Sequence, residues 1–326
     1  MSFDADFIVD RRRMRRKLTF WRVVTVFIAI VAVVGAGLAF SNRGAITGGP
    51  GGGIARVNIE GLIRGNRPRS EALTRLAESN AKAVIVHINS PGGTVAGSEE
   101  LYESLIKVKA KKPMVVVVDG LAASGGYIAA MASDRIVAQQ SAIVGSIGVI
   151  FQYPNVTELL KTIGVQVESI KSSPLKAAPS GYEPTSPEAR AAVESIVRDS
   201  FDWFKGLVRD RRHLDDASLQ KVSDGRVFTG RQAVELKLID GLGDEQAAID
   251  WLAKEKNIDP KTPIRDYPLA PRFSDLPFLR VAALGLLDAV GLNGLAERVR
   301  EFGAIQAVER LNLDGLLALW HPPSSN

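Results

Sequence analysis

The stretch Val115-Val-Val-Val-Asp119-Gly-Leu-Ala-Ala-Ser124-Gly125-Gly126-Tyr127 decides the fold. Four consecutive valines suit a strand covered on both faces, and such strands belong to parallel sheets packed between helices. The small residues at 120–123 allow a tight turn, and Gly125-Gly126 opens a helix expected to bury Ile128 and Met131. Strand, turn and helix start together present Ser124 at a helix N-terminus, where the positive end of the dipole stabilises an alkoxide or oxyanion. A serine there can equally be an N-cap that only satisfies a backbone amide. The local residues leave both roles open.

The same pattern occurs one unit upstream. Ile88-Asn89-Ser90-Pro91-Gly92-Gly93-Thr94 ends the apolar run 83–88 and enters a helix across glycines. Glycine tolerates the backbone conformations that present free N–H groups, so Gly92 and Gly93 are candidate donors to an oxyanion. Two such corners in adjacent βαβ units bring their amides to one edge of a sheet. The surrounding sequence alternates as those units require. Strands are expected at 55–59, 83–88 and 114–118, and helices at 70–79 and 95–109, which makes an α/β sheet with βαβ crossovers. Further on, 134–138 and 143–150 read as short strands or turns, 155–163 as a helix and 165–170 as a strand. A long helix follows at 186–212, with Val193, Ile196, Val197, Phe201, Phe204 and Val208 at helical spacing for the core. Thr229 and Gln232 have the capping-box spacing. Residues 276–320, interrupted by Gly285, Gly291, Gly294 and Gly303, read as two or three amphipathic helices.

The charge is unevenly placed. Of the formal +5, residues 1–22 hold seven bases (Arg11, Arg12, Arg13, Arg15, Arg16, Lys17, Arg22) against Asp4, Asp6 and Asp10. The remainder is close to neutral, so no nucleic-acid partner is expected for the body. Residues 23–40 carry no charge and only Thr25 as a hydroxyl. As a helix they span about 27 Å, close to a bilayer's hydrocarbon core. The basic flank keeps 1–22 in the cytoplasm and sends the rest outward. A cleaved signal peptide, ending near Gly37-Leu38-Ala39, is the rival reading, but the apolar stretch exceeds a usual signal core. Six glycines and Pro50 make 44–53 a flexible linker. The chain has no cysteine, which excludes disulfides, thiol nucleophiles and thiolate metal sites. His87, His213 and His321 are its only histidines and have no metal-ligand spacing, so no metal or cofactor is expected. His87, inside an apolar run, reads as a satisfied core residue.

Asn89-Ser-Pro-Gly-Gly, Ala123-Ser-Gly-Gly-Tyr, Gly145-Ser-Ile-Gly-Val, Asp224-Gly-Arg-Val-Phe-Thr-Gly and Leu238-Ile-Asp-Gly-Leu-Gly-Asp occur in this order. Together they resemble the signal peptide peptidase A family in its short, single-repeat form, a branch of peptidase family S49. The resemblance covers roughly residues 54–256, and the ClpP/crotonase superfamily shares the fold. With the charge and hydropathy readings it divides the chain into five segments: a cytoplasmic arm (1–22), a transmembrane helix (23–40), a linker (41–53), a ClpP/crotonase-like peptidase domain of repeated ββα units (54–256), which the resemblance implies, and a helical C-terminal extension (257–326). It implies Ser124 as nucleophile, Lys176 as general base, Ser146 as the hydroxyl that orients the lysine, and an oxyanion hole from the N–H groups of Gly93 and Gly125. Of the two lysines after 165–170, the family places the base at the second, Lys176, rather than Lys171. Ala177 stands where an acidic residue or serine is frequent in the family. A lysine in water is a poor base at neutral pH, so the role requires a setting that excludes water. The resemblance further implies hydrophobic remnant signal peptides as substrates, an extracytoplasmic catalytic domain on the bacterial inner membrane, and homo-octamers whose sites combine residues of neighbouring subunits. Three rivals follow: a Ser-His-Asp triad through His213, which the charged surroundings Arg211-Arg212-His213-Leu-Asp-Asp do not favour, a crotonase-type acyl-CoA enzyme, and a catalytically silent peptide-binding scaffold.

Overall fold

The computed structural model describes residues 52–269 continuously, together with Lys17, Trp21, Arg22 and residues 317–320. The expected span 23–40, nearly all of the basic arm and linker, and the helices expected within 276–316 lie outside the described residues. No described helix is long and apolar enough to cross a membrane.

The first half of the body alternates strand and helix: β1 (Ile54–Ile63), α1 (Arg67–Glu78), β2 (Ala83–Thr94), α2 (Val95–Lys109), β3 (Met114–Ala123), α3 (Gly125–Ala130) and β4 (Arg135–Ala138). β1 with β2, β2 with β3 and β3 with β4 all pair in parallel. Each helix start is locally encoded. The Asn66 side chain accepts from Arg69 N ahead of α1, and the Thr94 side chain accepts from Gly97 N ahead of α2.

The valine run is apolar throughout because it feeds two cores. Val116 and Val118, with Val57, Val84 and Val86, pack against Leu73, Leu76, Leu101 and Leu105 of α1 and α2. Val115 and Val117, with Ile54 and Ile85, point to the other face and meet Ala248 and Leu252 of α8 (Glu245–Lys256). Successive strand residues face opposite ways, so a strand with both faces covered has no polar position to spare. Each fully buried valine stabilises by about 1.5 kcal/mol.

The strands run past these cores and then change partners. The first half of β3 pairs with β4, whereas Leu121–Ala123 pairs with β5 (Ile143–Gly145). Register shifts at Glu60/Leu62 and Ile88/Ser90 mark the same level in β1 and β2. Beyond β5 come α4 (Thr157–Thr162), α5 (Pro187–Arg212), α6 (Asp216–Val222), β6 (Val227–Thr229), α7 (Gly230–Glu235), β7 (Gly241–Leu242), α8, β8 (Ile264–Asp266) and β9 (Leu317–Leu319). The main order is β6-β5-β3-β2-β1-β8, with β4 beside β3, β7 beside β4, and β9 on the end of β2.

Three expectations need correction. Residues 165–170 form no strand, because Val165, Val167 and Ile170 are exposed and have no edge to pair with. The apolar stripe of α5 is core only at its C-terminal end. Phe204 and Val208 are buried, whereas Ile196 is 54% exposed; in the first half of the helix Ala189 alone is buried among the described residues. The segment 257–326, expected as a helical extension, contributes strands instead where it is described. β8 pairs with β1 and β9 with β2, so the sheet draws on residues beyond 256.

Candidate active site

Ser124 sits where β3 ends and α3 begins, with φ 54° and ψ −116°. Left-handed φ at a residue with a Cβ costs about 1–3 kcal/mol and persists only where the surroundings enforce it. Here they do. Ser124 N–H donates to Gly145 O at 2.7 Å, and Ser124 O accepts from Tyr127 N and Ile128 N at 2.9 and 3.0 Å. The backbone of Ser124 thus caps α3, but its side chain makes no capping hydrogen bond. The residue is 1% exposed, and its Oγ is buried without a hydrogen-bond partner. An N-cap serine uses its hydroxyl on the first turn, and this one does not. A strained strand-to-helix turn holding an uncommitted hydroxyl is the geometry of a nucleophile.

The glycines around it are required by space. A Cβ on Gly126 would lie 2.7 Å from Ser90 O, so the helix start presses against the end of β2. A Cβ on Gly93 would lie 1.7 Å from Ile63 O. The Gly92-Gly93 corner, with Gly92 at φ 101°, therefore stands beside the Ser124 corner, where Ser90 pairs with Ala122. Ser90, which the sequence did not single out, holds that corner: its Oγ donates to Gly61 O at 2.7 Å and accepts from Gly92 N at 3.1 Å. The Gly125 N–H is the first amide of α3, a position that has no carbonyl acceptor within a helix.

Ser146 is tied to the same corner through its neighbour. It follows Gly145, the acceptor of the Ser124 N–H, and is itself buried at φ 52°, donating its N–H to Arg226 O at 2.8 Å. Lys176 lies elsewhere. It is exposed in a turn where its N–H donates to Ser173 O at 3.1 Å, and among the described residues its Nζ makes no hydrogen bond or ion pair. Lys171 is committed to Glu183, whose carboxyl it holds below the usual carboxylate range. Within one chain the structure brings together Ser124, Gly93, Gly125 and Ser146, and leaves Lys176 apart: among the described residues neither Ser124 Oγ nor Lys176 Nζ has a hydrogen-bond partner. His213 does not replace it: it ends α5 at φ 52° with its N–H on Arg209 O.

Other motifs support the corner. Tyr127 is fully buried and donates to Leu238 O at 2.7 Å, and burial pushes its phenol up. Asp240 Oδ2 accepts from Ile136 N at 2.7 Å and pairs with Arg212. Thr229 and Gln232 form the expected capping box. His87 is satisfied on both nitrogens, by Asp119 and Glu245, each at 2.9 Å. Arg56 grips Glu245 through two 2.6 Å bonds and keeps its carboxyl low.

Residues 106–259 match peptidase family S49. A Synechocystis sp. protein provisionally named a protease is 37% identical over 209 residues, which span 64% of this chain and 76% of that one. A protein of Enterococcus faecium provisionally named signal peptide peptidase SppA is 35% identical over 59% of this chain and 56% of its own length. Protease 4 of Haemophilus influenzae is 29% identical, covering 66% of this chain and 36% of its own. The chain thus spans three quarters of the first relative and little more than half of the second. Among solved structures, a ClpP1 mutant from Listeria monocytogenes aligns at 16% identity and TM-score 0.40, covering 58% of this chain and 91% of its own, a likeness on which nothing further rests. The matched segment contains the Ser124 corner and everything that supports it from α3 to α8, and with these relatives it establishes that the chain belongs to peptidase family S49.

Proposed function

We propose that this chain is a serine endopeptidase in which Ser124 is the nucleophile and Lys176 of a neighbouring copy is the general base. The observation that carries the reading is the Ser124 hydroxyl, buried in a strained turn and unpartnered. Lys176 takes the Oγ proton as Oγ bonds to the peptide carbonyl carbon, and the N–H groups of Gly93 and Gly125 hold the oxyanion. Collapse breaks the C–N bond, and the departing amine receives the proton from Lys176. Water, deprotonated by the Lys176 amine, then attacks the ester carbonyl, and the C–Oγ bond breaks as Lys176 returns the proton to Ser124 Oγ. The Ser146 hydroxyl orients the lysine.

The lysine needs a dry setting that the described residues of its own chain do not supply. In the segment of chain that leads to it, Leu159, Ile163, Val165, Val167, Ile170 and Leu175 are exposed, as is Ile196 on α5. Soluble chains rarely leave so much apolar surface uncovered, and a second copy in a closed ring, an octamer, would cover it while delivering Lys176 to the adjacent Ser124. The substrates are hydrophobic peptides, remnant signal peptides among them. They are met on the extracytoplasmic face of the inner membrane, where a span at 23–40 holds the enzyme.

The test is digestion of a synthetic signal peptide, with products mapped by mass spectrometry. Ser124→Ala and Lys176→Ala are expected to be inactive and folded, and Lys171→Ala active. Mixing the two inactive chains should restore activity, up to about a quarter if each site joins two subunits. An active Lys176→Ala chain would refute the assignment of the base, and a Ser124→Ala chain that still cleaves would refute the peptidase reading.

A further inference from the structure

On the way to the two corners, β3 carries two residues more than β2. Ile88 pairs with Val118 and Ser90 with Ala122, so Asp119, Gly120 and Leu121 of β3 bulge opposite the single residue Asn89 of β2. A bulge re-aims its strand, and a change of register across it carries along everything that follows. Ser124 comes five residues after Asp119, and Gly93 six after His87. Redistribution of the two extra residues would therefore move Ser124 past Gly93. The alignment of the corners depends on what fixes the bulge.

One side chain grips it from the neighbouring strand. His87 of β2 gives Nδ1–H to both Asp119 oxygens, at 2.9 and 3.0 Å, and Nε2–H to Glu245 Oε2 at 2.9 Å. Arg56 of β1 holds Glu245 and also reaches Asp266 of β8 at 3.0 Å. The links thus run from β8 through β1, α8 and β2 to the first residue of the bulge, and His87 is the partner of Asp119 among the described residues. The donors decide the charge of the ring. An ionised carboxylate only accepts, so both contacts are hydrogen bonds only when both ring nitrogens carry hydrogen, as in the imidazolium. The cluster then sets Arg56 and His87 against Asp119, Glu245 and Asp266. With one ring hydrogen gone, a lone pair faces a carboxylate, and the run of links breaks on one side of the ring whichever nitrogen keeps its hydrogen.

We propose that His87 is a positioning residue: its protonated ring fixes the Asp119 bulge and so holds the Ser124 hydroxyl in register with the Gly93 N–H, and loss of the ring proton as pH rises loosens that alignment. This rests on the peptidase reading, since it takes Ser124 as nucleophile and Gly93 as oxyanion donor. His87 acts through Asp119 and not on the reacting atoms.

The test compares full-length wild type, His87→Gln and Asp119→Asn by the rate at which a fluorophosphonate labels Ser124, from about pH 6 to about pH 9. Lys176 is the same in all three chains, so its own response to pH cancels when the wild-type rate is divided by a variant's. That ratio should be about tenfold at the low end, where the tie is intact, and should fall toward one at the high end. A ratio that stays constant across the range would show a merely structural role, and a ratio near one throughout would show none; either overturns the proposal. Should His87→Gln fail to fold, Asp119→Asn, whose side chain is 44% exposed, carries the comparison. A second measurement reads the ring itself: the 15N signals of His87, assigned by their loss in His87→Gln, should show both nitrogens protonated at the low end and one at the high end. A ring with a single hydrogen throughout would also overturn the proposal. If Ser124 is labelled in no chain, the peptidase reading falls, and the ring signals alone still decide whether the charged tie exists.

Discussion

Replacing Ser124 by alanine should make the protein more stable. Ser124 Oγ is buried without a partner, and a buried hydroxyl in that state costs about 1–3 kcal/mol relative to its solvated form. Ser124→Ala removes the oxygen, keeps the Cβ and leaves the backbone at φ 54°. The expected gain is about 1 kcal/mol, the low end, because the Cβ remains strained. Ser124→Gly also releases part of the backbone strain, about 1–3 kcal/mol, against a glycine penalty of about 0.5–1 kcal/mol, so it should match or exceed alanine. For a body of this size 1 kcal/mol moves the melting temperature by about 2–4 °C. The assay is thermal and urea unfolding of the full chains. The internal control is Ser133→Ala, where Oγ lies 2.8 Å from Ala130 O and 3.0 Å from Arg135 O, so the same substitution should cost about 1 kcal/mol. A Ser124→Ala chain that melts below wild type, as the control should, would mean that the hydroxyl serves the fold and that Ser124 is an N-cap after all.

Three further outcomes are expected. Gly93→Ala places a Cβ 1.7 Å from Ile63 O, so β1 and β2 must part at the glycine corner; the loss in a urea titration should be at least about 2 kcal/mol, and a fluorophosphonate should no longer label Ser124. Tyr127→Phe strands the buried Leu238 carbonyl and should cost about 1–3 kcal/mol in the same titration, while leaving Ser124 in place. Glu245 has its pKa depressed, first by its bond to Arg56, so its contribution is fully present above the unfolded carboxylate value, about 4.3, and is lost as pH falls through the lower folded value. Stability measured from about pH 6 down to pH 2 should therefore fall with an acid limb that Glu245→Gln flattens, and an unchanged limb would show that the Arg56 pair contributes nothing.

What was legible in the sequence was local. The valine run, the glycine pairs after β2 and β3, and the Thr229 box act within a few residues, and the structure has each where its chemistry requires. His87 was legible too, since an imidazole in an apolar run needs partners on both nitrogens, although the identity of Asp119 and Glu245 could not be read. The strand expected at 165–170 shows the limit. An apolar alternation states that a segment needs a partner and says nothing of whether its own chain supplies one. The first half of α5 misleads for the same reason.

By itself, the sequence determined that β3 is buried on both faces and that a serine follows it at a helix start, because side-chain period and turn chemistry are properties of neighbouring residues. Only the tertiary structure decided that the Ser124 hydroxyl caps nothing, that Ser90 locks the glycine corner, that Lys176 stands in solvent within its own chain, and that residues 317–320 pair with Gly92 and Gly93. Each of those depends on which distant segment fills a given space, and backbone hydrogen bonding, which every residue can offer alike, leaves almost no trace of that choice in the order of side chains.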